Sequence, residues 1–128
     1  MIGAAVVALL GQPGVSALLA GRVYPVRLPA DPVLPAVAYQ LITETRPRLA
    51  RGRAGLVRSL LQLSVVGQDY DQAHAVVAAI RQAIDRARGP FGGLDVRDVL
   101  EQGTQDDPGD NAPQLVAMTW AVHWKESA

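Results

Sequence analysis

The chain of 128 residues contains no cysteine. A disulfide framework, a thiolate-bound metal and a thiol nucleophile are therefore excluded. Histidine is nearly as scarce. His74 and His123 are the only two, which leaves little for a zinc site or a histidine relay. Lysine occurs once, as Lys125, so eleven of the twelve cationic side chains are arginine. Arginine is the better residue for bidentate and interface contacts, although GC-rich coding produces the same bias. Net charge is zero, so the chain as a whole is no polycation for nucleic acid. Only 19% of residues are charged while 49% are hydrophobic, the balance of a folded domain rather than a disordered one.

Charge is also missing from the first twenty residues. No basic segment precedes this apolar stretch, as a signal peptide would require. Gly11, Gln12, Pro13 and Gly14 interrupt it after ten residues, short of the roughly 20 that a membrane span needs. The expected structure is a short buried helix, then a second helical turn around Val15–Ala20 stopped by Gly21. The expectation is one domain over residues 1–128, made in the cytoplasm, with no membrane partner.

Beyond Gly21 lies a short extended piece, Arg22–Pro25, then a loop carrying Pro25, Pro29, Pro32 and Pro35. Val37–Thr45 alternates as a strand, with Val37, Tyr39, Leu41 and Thr43 on one face. Leu56–Val66 reads as a second strand, joined to the first by a long hairpin over residues 46–55. Asp69 and Gln72 are spaced as a capping box. Ala73, Val76, Val77, Ile80, Ala83, Ile84 and Ala87 then recur at helical spacing, and Gly89-Pro90 is expected to stop the helix. Leu94–Leu100 reads as a strand, Gly103–Pro113 as an acidic loop and Leu115–Lys125 as a closing strand. In that last strand Val116, Met118, Trp120, Val122 and Trp124 share one face. The order α-β-β-β-α-β-β predicts an α+β fold, a mainly antiparallel sheet of four to five strands with helices on one face.

Catalytic signatures are missing. There is no phosphate-binding loop, and Asp106, Asp107 and Asp110 do not keep the register of a calcium loop. The serines lack a nucleophile-elbow context. His74 is expected to be a partly exposed structural histidine. The expectation is a protein that is not an enzyme, with no cofactor and no metal.

What remains is charge segregation. Residues 1–64 hold seven arginines against Asp31 and Glu44, net +5, and residues 65–128 are net −5. The hairpin from Arg46 to Arg58 holds five arginines and no acid, and the stretch from Asp95 to Asp110 holds six acids against Arg97. Three readings of the hairpin compete: contact with a neighbouring subunit's acidic loop, contact with nucleic acid, and a solvated loop. A nucleic-acid-binding role for residues 46–58 is the alternative to assembly. Without an aromatic platform it would touch phosphates unspecifically.

Several segments resemble a known family. Gly21-Arg22-Val23-Tyr24-Pro25, Leu34-Pro35-Ala36-Val37-Ala38-Tyr39-Gln40, Leu56-Val57-Arg58 with Gln62, Gly67-Gln68-Asp69-Tyr70-Asp71-Gln72-Ala73 and Val122-His123-Trp124-Lys125-Glu126 follow one another as in the tail completion, or tail terminator, proteins of long-tailed phages and gene transfer agents. Val66 departs from the aromatic residue many relatives place there, and the hairpin arginines are unusually dense. The resemblance implies a structural virion protein at the head-proximal end of the tail, assembled in the host cytoplasm. It implies a homo-oligomeric ring, typically a hexamer, that caps the tail tube and joins it to head-completion (connector) proteins. DNA would pass through the lumen without specific recognition. Unlike patches suit the heterologous interfaces of a ring. The expected contacts with a neighbouring subunit or the tube are Arg46, Arg48, Arg51 and Arg53 on one side and Asp106, Asp107 and Asp110 on the other.

Overall fold

The computed structural model describes residues 2–46, 55–108 and 113–126. Three helices, α1 (Ile2–Leu10), α2 (Pro13–Leu19) and α3 (Tyr70–Ile84), accompany six strands. The strands are β1 (Val23–Pro25), β2 (Ala36–Thr45), β3 (Val57–Gly67), β4 (Gly89–Phe91), β5 (Leu94–Asp106) and β6 (Gln114–Glu126). They form one sheet in the order β1-β2-β3-β6-β5-β4. Only β1 runs parallel to its neighbour, and every other pair is antiparallel. The mixed α+β class holds, but four to five strands become six. The added strand β4 lies where the sequence suggests only a helix stop, and the order is α-α-β-β-β-α-β-β-β.

β3 and β6 are the centre of the sheet. On β3, Val57, Leu61, Leu63 and Val65 are buried on alternate positions, as a period of two requires. They stand opposite Trp124, Trp120, Met118 and Val116 of β6. Both tryptophans are fully buried in a single hydrophobic cluster that takes in Ala5, Val6 and Leu9 of α1, Val15 and Leu19 of α2, and Ala73, Val76, Val77, Ile80 and Ile84 of α3. The helices therefore cover this face, with α3 packed on β3 and β6 and flanked by α1 and α2.

α1 and α2 meet at a bend of 88°, and among the described residues no single helix is long and apolar enough to cross a membrane. Their apolar residues are spent on the core. α1 seats on the turn between β4 and β5, where a Cβ on Gly92 would lie 2.3 Å from the Ala4 carbonyl carbon. Gly67 is needed for the same reason where β3 meets α3, since its Cβ would fall 2.5 Å from the Ala73 nitrogen.

Asp69 caps α3 by accepting from the Gln72 N–H at 2.8 Å, and the Gln72 side chain accepts from the Gln68 N–H at 2.7 Å. The helix ends at Ile84, earlier than the apolar stripe suggests. Arg86 adopts φ 60°, its N–H donates to the Val99 carbonyl at 2.7 Å, and its guanidinium bonds Asp98 at 2.8 Å. These contacts draw the chain off the helix axis towards β5. Ala87 therefore lies beyond the helix rather than in its stripe.

A bulge shifts the register of β2 against β3 between Leu41 and Thr43. Past it Glu44, not Thr43, shares the face of Val37 and Tyr39, because an extra residue inverts the alternation. The segment expected as an acidic loop from Gly103 is strand as far as Asp106.

Candidate assembly surfaces

Of the residues expected to carry contacts, Arg46, Asp106 and Asp107 are described. Arg48, Arg51, Arg53 and Asp110 lie outside the described residues.

Arg46 stands at the base of the hairpin on a polar network set into the core. The buried Trp124 Nε1–H donates to Ser59 Oγ at 2.9 Å, and the Ser59 hydroxyl donates to Glu44 Oε1 at 3.0 Å. Arg46 Nε–H donates to Glu44 Oε2 at 3.1 Å, and its guanidinium lies 5.4 Å from the centre of the Trp124 ring. A carboxylate beneath and an aromatic face beside it hold this cation in place. Ser59 is fully buried on the apolar face of β3, and sequence reading passes over it. The signal is there: a lone hydroxyl at a buried phase of the strand needs a partner.

The acidic segment is met largely by cations of its own molecule. Arg81 holds Glu101 through two bonds, at 2.7 and 2.8 Å, and Thr104 also donates to Glu101. The arginine keeps the Glu101 carboxyl below its ordinary value. Arg86 does the same for Asp98, while both guanidinium groups are raised. Asp95 pairs with Arg97 at 2.9 Å. Asp106 meets His74 Nε2 at 2.6 Å, and the His74 ring packs on Tyr70 with centroids 4.3 Å apart. Asp107 is exposed, and among the described residues its side chain has no ion pair or hydrogen bond.

Arg46 and Asp106 are not neighbours. Arg46 sits at the Trp124 level of β6 and Asp106 pairs with Val116, eight residues along the strand. At a strand's rise that is about 26 Å. The basic and acidic segments therefore leave the sheet at opposite ends, and each described member has a partner within its own molecule except Asp107.

Among the described residues there is no group of three or more His, Cys, Asp or Glu placed to hold a metal ion. A small sheet-and-helix unit whose polar groups serve ion pairs and strand ends has the make-up of a building block. The comparison with known families agrees. The family described as tail completion protein gp17 matches residues 4–124, and this chain belongs to it. It is a structural, non-catalytic component of a phage-like virion tail. Among solved structures, a chain in "Virion of native gene transfer agent (GTA) particle" is similar at 15% identity with a TM-score of 0.68. The match covers 96% of this chain and 92% of that one, and shows a shared fold. No curated protein matches the chain.

Proposed function

We propose that this single-domain subunit closes into a homo-oligomeric ring, a hexamer of about 82 kDa, at the head-proximal end of the tail. There it caps the tail tube, stops its growth and presents a surface to head-completion proteins, while DNA passes through without being read. Assembly takes place in the host cytoplasm. Family membership over residues 4–124 carries this reading.

The placing of Arg46 and of Asp106 and Asp107 at opposite ends of one sheet supports it. Arg46 and the adjoining Arg48, Arg51 and Arg53 would serve one ring face. Asp106, Asp107 and Asp110 would serve the other. Contacts at one end would engage the tube and at the other the connector, with unlike charge setting orientation.

Light scattering of the purified chain, alone and with purified tail tubes at low salt, tests the reading. Assembly into a species of six copies, or a cap on tube ends in electron micrographs, is expected. A chain that stays monomeric at every concentration and leaves the tubes uncapped overturns it. Replacing Arg48, Arg51 and Arg53 with alanine should weaken capping. Salt-sensitive duplex binding that this variant loses, with capping intact, would instead favour the nucleic-acid role.

A further inference from the structure

The two outer edges of the sheet are each blocked over only part of their length. β1 covers β2 at Val37–Tyr39, and the Val26 N–H reaches the Tyr39 carbonyl. Beyond that point, among the described residues, no strand lies outside residues 40–45. Leu41 and Ile42 are 41% and 47% exposed there. On the far side, β4 covers β5 at Leu94–Val96, and the Arg86 N–H takes the Val99 carbonyl. Residues 100–106 then run, among the described residues, with no strand outside them. Free edges of this length are templates for another strand.

We infer that the ring seam is made by these two edges, residues 40–45 of one copy pairing antiparallel with residues 102–107 of the next. The inference rests on the ring reading above and names the surface that closes it. Three observations choose a second copy as the occupant.

Polarity fits first. Four long strands separate the edges and alternate in direction, so β2 of one copy meets β5 of the next antiparallel. Phase fits as well. On β2 the outward backbone groups belong to Val37 and Tyr39 and, by alternation, to Leu41, whose side chains lie on the helix-bearing face. On β5 the outward group belongs to Val99, which lies on the same face. The two edges can thus join with all helices on one side. Register is set by the blockers: β1 keeps a partner from Tyr39, so Leu41 pairs with Asp106 and Gln40 with Asp107. Neighbouring copies are then offset by about four residues, ~13 Å, across four strands ~19 Å wide. A tilt of about 35° results, the order found in closed barrels.

Charge fits last. Arg27 follows β1 at the foot of the free β2 edge, and Asp107 ends the free β5 edge. Both are exposed, and among the described residues neither side chain has an ion pair or hydrogen bond. The offset pairing sets them side by side. It also places Arg46 opposite residues 101–102 of the next copy.

The chain has no native cysteine, so a cross-link reads the seam directly. The double variant Gln40→Cys/Asp107→Cys, mildly oxidised in the presence of tail tubes, should give a ladder of covalent multimers, whereas each single variant should give none. Independently, Arg27→Asp and Asp107→Arg should each raise the concentration needed for assembly roughly tenfold, and the double reversal should restore it. Circular dichroism checks that each variant folds. Rings without a ladder, or without rescue by the double reversal, overturn the seam and leave the ring reading standing. Absence of any assembly by the wild-type chain overturns both.

Discussion

Ser59→Ala removes one oxygen from the base of the hairpin and isolates two groups. The indole N–H of Trp124, fully buried, loses its acceptor, and Glu44 Oε1 loses its donor. A hydrogen bond is worth about 1 kcal/mol net, and a buried donor left unsatisfied costs about 1–3 kcal/mol. Glu44 is partly exposed and recovers its bond from water, so the indole dominates. The expected loss is about 2–3 kcal/mol, read as a fall in the urea midpoint at unchanged slope with the chain monomeric. The diagnostic is the cycle with Trp124→Phe, which deletes the orphaned N–H. If the indole is the cause, Ser59→Ala should cost about 1–2 kcal/mol less in the phenylalanine background. Strict additivity of the two changes would refute the argument, because the hydroxyl would then contribute by packing alone.

Acid should loosen the β5 side of the molecule. Arg81 lowers the folded Glu101 carboxyl below its ordinary 4.5, so its contribution is complete above that value and fades as pH falls through the lower folded one. Asp98 beside Arg86 has the same sign. Urea unfolding followed from neutral pH to pH ~3 should show stability falling with acid, and Glu101→Gln should flatten that fall. Gly92→Ala should destabilise well beyond Gly93→Ala in thermal melts. Both have positive φ, 58° and 85°, but only the first Cβ collides with α1. The left-handed conformation alone costs about 1–2 kcal/mol, and displacing the α1 backbone adds to it only at Gly92. Equal losses at the two positions would contradict the close seating of α1.

Much of the framework is legible from local pattern. The stripe from Ala73 to Ile84 is buried as its spacing predicts, and Asp69 caps the helix. The face of Val116, Met118, Trp120, Val122 and Trp124 on β6 faces the core, with His123 on the other side of the sheet. Helical and strand periods arise from backbone geometry, so neighbouring residues suffice to read them. The end of α3 was not legible, because Arg86 leaves the helix for Val99 and Asp98, twelve and more residues away. Nor was the bulge at Ile42, which sends Glu44 to Ser59. The acids of β5 resemble a solvated loop in one dimension. Glu101 and Asp106 become partners of Arg81 and His74 only because α3 lies across them.

The sequence by itself determined most of the elements and their apolar faces and the excess of unlike charge in the two halves, since these depend on composition and short spacing. Only the tertiary structure decided that β3 and β6 lie centrally, that Glu101 and Asp106 are answered by α3, and that the hairpin base at Arg46 and the acids Asp106 and Asp107 stand at opposite ends of the sheet. Strand order and charge placement come from contacts between residues far apart in the chain, and those distances exist only once the core has closed around Trp120 and Trp124.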